Sequence, residues 1–177
     1  MKASWLVRVG VGLALVVAGV AIYVWGAGIQ TAESRILAVL VSWALNHPTV
    51  PATWGPVVFW NGAQGQLYGL DITPTCSSGR VAAPLLLTAG ALAAVGRLRW
   101  GRVVLAALIA IGVIVAINQA RMVMIAFTIN RYGSEDASLY AHTLAGSLVT
   151  VAGVAASLAI GVRVAFGGKS KGSPREL

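Results

Sequence analysis

Long apolar runs, separated by short basic or proline-rich stretches, dominate the hydropathy pattern of this chain. Four of the runs are long enough to cross a hydrocarbon core about 30 Å thick, which takes roughly 20 apolar residues in a helix. They cover about residues 5–25, 76–95, 103–120 and 142–162, and the third can extend towards Ile129. The pattern therefore predicts an all-α polytopic membrane protein with about four transmembrane helices.

The first run has some features of a cleavable export signal. Basic residues come first, and small residues follow in Gly26-Ala27-Gly28. Its apolar part is longer than the core of such a signal, which has about 7–15 residues. This length favours a retained membrane anchor.

A shorter apolar stretch at residues 36–45 follows the first run. Its length of about ten residues is too short to cross the bilayer, so we interpret it as an interfacial or re-entrant helix. Thr31 and Ser34 are candidate N-caps for this helix, and Glu33 suits its first turn.

Prolines at positions 48, 51 and 56 then exclude a regular helix. Two β-type stretches, at residues 57–60 and 66–72, flank a turn-like segment that is rich in glycine. They predict a small extracytoplasmic hairpin.

The composition agrees with a membrane protein. Of the 177 residues, 58% are hydrophobic and only 10% are charged, and the mean hydropathy is +0.82. These values lie outside the range of soluble domains. We interpret residues 1–166 as one membrane-embedded domain and residues 167–177 as a flexible cytoplasmic tail.

The net charge of +8 comes from basic residues that punctuate the apolar runs, so no nucleic-acid partner is predicted. With four spans, nine basic residues fall on the side of the two termini. Four fall on the other side: Arg35, Arg80, Arg121 and Arg131. The positive-inside rule then predicts a cell-membrane protein whose termini are both cytoplasmic.

Three reactive residues fall at equivalent ends of the last three runs. Cys76, the only cysteine, opens the second run; Arg121 lies near the end of the third, and His142 begins the fourth. Each is 19 to 21 residues from a basic residue at the opposite end of its run, in the pairs Cys76 and Arg97, Arg121 and Arg102, His142 and Arg163. Because this separation is roughly 30 Å along a helix, all three are expected at the extracytoplasmic face.

These residue types are the ones that a cysteine peptidase or transpeptidase needs: a thiolate, a proton-transferring base and a donor for the oxyanion or the substrate. A helix N-terminus, where we expect Cys76, stabilises a thiolate. Ser77, Ser78 and Gly79 leave room for a substrate backbone, and free amides of the first turn can hold an oxyanion. Arg80 is a further candidate for stabilising the thiolate, or for binding a substrate carboxylate or a lipid head group.

Each residue also has a simpler interpretation. A lone cysteine is most often a small buried apolar residue, Arg121 can snorkel to the interface, and His142 can bond a loop carbonyl. His47 lies in a loop without a motif and is assigned no chemistry. Three carboxylates are candidates to orient His142 or to pair with arginines: Asp71, Glu135 and Asp136. No metal or other cofactor is predicted, because one cysteine and two histidines show no ligand spacing.

Three motifs taken together resemble those of the exosortase/archaeosortase family. They are Cys76-Ser77-Ser78-Gly79, Asn118-Gln119-Ala120-Arg121, and His142 with Gly146, and they occur in the family's order over about residues 67–158. The resemblance implies a membrane-embedded cysteine transpeptidase or peptidase. Carried over by residue, it implies that Cys76 is the nucleophile, His142 the acid and base, Arg121 the oxyanion or substrate stabiliser, and Asn118 a supporting residue.

The resemblance also implies the partners. They are exported proteins with a C-terminal sorting signal, made of a short motif, one transmembrane helix and a basic tail, which is cleaved at the outer face. The acyl group then passes to an amine, a lipid-linked acceptor or water. The alternative is a non-catalytic four-span protein that binds lipids or a partner complex, with Arg80 and Arg121 contacting phosphates.

Overall fold

The structure is a computed structural model, and it describes residues 2–62, 65–95, 99–133 and 146–166. These residues are mostly helical and include one small sheet. In chain order the elements are helix α1 (Lys2–Val24), helix α2 (Gly26–Leu45), strands β1 (Thr49–Pro51), β2 (Val57–Asn61) and β3 (Leu67–Asp71), a 3₁₀ turn (Pro74–Cys76), and helices α3 (Gly79–Val95), α4 (Trp100–Tyr132) and α5 (Gly146–Phe166).

Three of these helices are long and apolar enough to cross a membrane: α1 over Trp5–Val24, α4 over its whole length, and α5 over Ser147–Val164. Helix α3 is also apolar but has only 17 residues, about 25 Å. Many large apolar side chains on these helices are exposed, for example Leu13 at 63%. Lipid is the solvent that such surfaces require. The chain is therefore a membrane protein with several apolar helices, and the count of four spans stays a prediction.

Helices α1 and α3 approach each other through glycine. A Cβ atom added at Gly12 would lie 2.8 Å from the Gly90 carbonyl oxygen, and one added at Gly90 would lie 2.7 Å from the Gly12 carbonyl oxygen. Only glycine fits at both positions, because the contacting atoms are backbone atoms that cannot move aside. Small residues bring helices this close in membranes, where van der Waals contact replaces the hydrophobic effect between helices.

Helix α2 is longer than the sequence predicted. It has 20 residues and begins at Gly26, and Trp25 is the single residue between it and the end of α1. Thr31 and Ser34 are therefore interior residues rather than N-caps. Their hydroxyls donate to the carbonyls of Ala27 and Thr31 within the helix. Serine and threonine hydroxyls inside a helix commonly donate to a carbonyl three or four residues earlier, whereas an N-cap side chain accepts from a backbone amide.

One face of α2 is buried along its length, and its first half is polar. The spacing i, i+3, i+4, i+7 marks a single helical face. The buried residues are Gln30, Glu33, Ser34, Leu37, Ala38 and Val41. Because the first half of α2 is polar, the apolar stretch that predicts the helix begins at residue 36, ten residues after the helix itself begins.

The sheet has the order β1-β2-β3 with both pairings antiparallel. Strands β2 and β3 correspond to the two predicted stretches, and Val58 pairs with Leu70 across them. Strand β1 was not predicted because it contains Pro51, which is tolerated here since β1 lies at the sheet edge. Where the sheet lies relative to the bilayer stays a prediction.

Two clusters of buried apolar residues follow from this arrangement. The sheet-side core joins α2, the sheet, the 3₁₀ turn and the C-terminal part of α4, through Leu37, Ala38, Val41, Val58, Trp60, Leu70, Ile72, Cys76, Met122, Ile125 and Ala126. The helix-only core joins α3 and the N-terminal part of α4, through Leu86, Ala89, Ala93, Val103 and Ala107. Helix α4, about 50 Å long, contributes to both.

Candidate active site

Cys76 ends the 3₁₀ turn and is 3% exposed. Pro74 begins the turn, and the Cys76 amide donates to the Thr73 carbonyl at 2.9 Å. The prediction that Cys76 opens a helix is wrong, because Ser77 is extended and α3 begins only at Gly79. The macrodipole effect is confined to the first helical turn, so the helix-start argument for a thiolate does not carry over to Cys76.

Helix α4 supplies two polar contacts to Cys76. Asn118 Nδ2 donates to the Cys76 carbonyl oxygen at 2.8 Å, and Arg121 Nη2 lies 3.9 Å from Cys76 Sγ. Residues three apart on a helix share a face, so the Asn-x-x-Arg spacing lets both side chains reach one residue. The Arg121 side chain is 8% exposed, and its Nε has no partner within the described ranges. Arg121 therefore points inward to the cysteine rather than outward to an interface.

The serines after Cys76 are buried and hydrogen-bonded. Ser77 Oγ accepts from the Gly79 amide at 3.2 Å. The Ser78 amide donates to Glu33 Oε1 at 2.9 Å, and the Ser78 hydroxyl donates to the same oxygen. Both amides are therefore occupied, which removes them from the set of free first-turn donors that the sequence predicted for an oxyanion.

Glu33 is the residue that sequence reasoning missed. The sequence places it only in the first turn of a short helix, yet it is 4% exposed and contacts the segment after the candidate nucleophile. One signal was available. A carboxylate between apolar stretches of a membrane protein is costly to bury and points to a specific partner.

A cavity of ≈ 30 Å³ lies beside these residues, and Gly153 and Val154 of α5 contribute to its lining. A space of this size can hold a water molecule. Its other lining residues come from the segment around Cys76 and from α4: Thr75, Ser77, Ser78, Val81, Ile114, Ile117, Asn118 and Arg121. The cavity thus brings polar groups of the two motifs against a third helix.

The structure separates Arg80 from the other candidates. Its guanidinium carbon lies 5.5 Å from the centre of the Tyr23 ring, near the end of α1, in a cation–π contact. His47 and Asp71 are exposed, in the α2–β1 loop and strand β3. His142, Glu135 and Asp136 lie outside the described residues, so their predicted roles stay predictions.

Comparison with known proteins gives one clear result. A family model described as transmembrane exosortase matches residues 2–160. No curated protein and no solved structure matches the chain. Because the match covers most of the sequence, this chain belongs to the transmembrane exosortase family.

Proposed function

We propose that this protein is a cysteine-dependent peptidase or transpeptidase that cleaves C-terminal sorting signals of exported proteins at the outer face of the cell membrane. The convergence of Asn118 and Arg121 on Cys76 carries the proposal, because one holds the cysteine backbone and the other donates to its sulfur. Exosortase family membership supports the same chemistry. The substrates are exported proteins whose signal combines a short motif, one apolar helix and a basic tail.

The proposed reaction has two steps. Cys76 Sγ attacks the carbonyl carbon of the scissile bond; a C–S bond forms, the C–N bond breaks, and the thiol proton passes through His142 to the leaving amine. Arg121 shifts its hydrogen bonding to the carbonyl oxygen as that oxygen gains charge. The acceptor, which is water, an amine or a lipid-linked amine, then attacks the thioester and returns a proton to Cys76 through His142.

The test uses an exported reporter fused to such a C-terminal signal from the same organism. We expect the wild type to cleave it and Cys76→Ala to lose roughly 10³-fold or more of the rate. His47→Ala is the matched control, because His47 is exposed and has no assigned role. Hydroxylamine should convert the thioester into a reporter hydroxamate that mass spectrometry detects.

Near-normal cleavage by Cys76→Ala at normal abundance would exclude this nucleophile. The non-catalytic alternative predicts a different pattern: no cleavage by the wild type, and full tolerance of Cys76→Ser.

We further propose that both termini are cytoplasmic and that Cys76 lies at the extracytoplasmic end of the spans. Two single-cysteine variants in a Cys76→Ala background test this: His47→Cys and Gly101→Cys, both at exposed positions. A membrane-impermeant maleimide should label the first in intact cells and the second only after permeabilisation. The opposite pattern would invert the topology.

A further inference from the structure

Glu33 is a buried carboxylate that neither the motifs nor the proposed reaction uses. It lies on the polar half of the buried face of α2 and is 4% exposed. Removing a carboxylate from water costs free energy unless hydrogen bonds compensate for the lost solvation. The hydrogen-bond partners of Glu33 therefore indicate the role of this buried side chain.

Within the described residues, both hydrogen bonds to Glu33 come from Ser78, two residues after Cys76. Oε1 accepts from the Ser78 amide at 2.9 Å and from the Ser78 hydroxyl. The Ser78 carbonyl in turn accepts from the amides of Val81 and Ala82, at 3.1 and 2.9 Å, which begins the hydrogen bonding of α3. Ser78 thus joins the end of the cysteine segment to the start of α3, and Glu33 holds this junction.

The segment is held on both sides of Ser77. Asn118 of α4 bonds the carbonyl of Cys76, and Glu33 of α2 bonds the amide of Ser78. Ser77 is the single residue between the Cys76 carbonyl and the Ser78 amide. Two anchors on different helices, this close in sequence, restrict how far Cys76 Sγ can move relative to Arg121.

We propose that Glu33 is a positioning residue that holds Cys76 in place through Ser78. The proposal rests on the proposed function only in assuming that Cys76 is the reactive group. Glu33 does not line the cavity beside Arg121, so it acts through Ser78 and not by touching a substrate. The Ser78 amide donates to Glu33, and the donor that contacts the cysteine sulfur is Arg121.

The experiment compares near-isosteric variants of the full-length protein in detergent. Glu33→Gln keeps an oxygen that accepts both hydrogen bonds, whereas Glu33→Met keeps the size and removes the acceptor. Ser34→Ala is the matched control, because Ser34 is fully buried on the same face and its hydroxyl donates to the Thr31 carbonyl within α2. Cys76 is the only cysteine, so the rate of N-ethylmaleimide addition reports on it alone.

We expect Glu33→Met to raise the alkylation rate roughly tenfold, since losing the anchor frees a buried thiol. With the reporter substrate, kcat should fall about 100-fold while KM stays within about twofold, as expected for a misplaced reactive group. Glu33→Gln should restore both values to within about threefold of the wild type. A purely structural role predicts the reverse order, because an apolar residue suits a buried site better than an amide does.

Two results would overturn the proposal. One is that Glu33→Met has the same alkylation rate and turnover as Ser34→Ala, and the other is that Glu33→Gln is as impaired as Glu33→Met. If Glu33→Met does not accumulate, Ser78→Ala decides, because it removes the hydroxyl bond and keeps the amide bond. It should raise alkylation about threefold, and equality with Ser34→Ala would count against the anchor. A wild type that cleaves no reporter would refute the proposed function, while the alkylation series would still decide the role of Glu33.

Discussion

The sheet-side core and the helix-only core are built from side chains of different size. The sheet-side core buries large residues completely, including Trp60 at 1% exposure and Leu37 at 0%. Alanine supplies three of the five residues in the helix-only core, and beside it α1 and α3 meet through Gly12 and Gly90. The same chain therefore packs in two ways, and α4 takes part in both.

If the sheet lies outside the bilayer, as the sequence predicts, the surrounding solvent accounts for this difference. Burying a large apolar side chain away from water is worth about 25 cal/mol per Å², so large residues stabilise a core that water surrounds. Lipid offers no such gain between helices, and small residues that allow close contact are favoured instead. Cys76 belongs to the first cluster. The candidate nucleophile is therefore packed among large buried side chains, whereas the close contact between α1 and α3 depends on glycine.

Among the substitutions that test the difference between the two cores, Trp60→Ala should have the largest effect on stability. Truncating a buried tryptophan typically costs about 3–5 kcal/mol, so we expect a clearly lower midpoint of thermal unfolding in detergent. Cys76 alkylation should accelerate as well, because both residues belong to the sheet-side core. Trp54→Ala, at a position that is 76% exposed, is the control and should leave both values near those of the wild type. An unchanged alkylation rate in Trp60→Ala would separate Cys76 from this core.

Arg121→Lys should have a smaller effect, on the reaction rather than on stability. Lysine keeps the charge but loses the planar fork, and a donor misplaced by about 1 Å can cost ~100-fold in rate, or about 2.7 kcal/mol. Reporter cleavage should fall by this amount while abundance and thermal stability stay normal. Arg131→Lys, at an exposed position on the same helix, is the control. Wild-type cleavage by Arg121→Lys would remove Arg121 from the mechanism and leave Cys76 and His142.

Gly90→Val should have the smallest effect, and it tests whether the two regions are independent. A Cβ atom at position 90 would lie 2.7 Å from a backbone oxygen of α1, and such overpacking typically costs about 1–3 kcal/mol. We expect reduced thermal stability with unchanged Cys76 alkylation. Gly10→Val on α1 is the control, since nothing lies within 4 Å of its added Cβ. If Gly90→Val accelerates alkylation as much as Trp60→Ala, the two regions are coupled.

The sequence predicts that Cys76 and Arg121 lie at one depth, from the rise of a helix and the thickness of a bilayer. Residues three apart share a helix face, so Asn118 lies on the same face as Arg121. Both side chains contact Cys76 in the structure. The predicted role of His142 stays untested, because that residue lies outside the described ranges.

Two features were not predicted, for related physical reasons. The burial of Glu33 depends on a residue 45 positions away, and its apolar sequence context indicates that it has a partner but not which residue that partner is. The start of α3 depends on the same partner, because the hydrogen bonds of Ser78 to Glu33 and of Ser77 to Gly79 favour a turn before the helix.

The sequence separation of the residues that contact each other around Cys76 has a consequence for the synthesis of the protein. Arg121 follows Cys76 by 45 residues, and Ser78 follows Glu33 by 45. The ribosome therefore synthesises the cysteine segment before Asn118 and Arg121. Non-local contacts of this kind form only after the intervening chain has been inserted and folded back. During biogenesis the thiol passes through a stage in which Glu33 can already hold its segment while the guanidinium that contacts its sulfur is still to be synthesised.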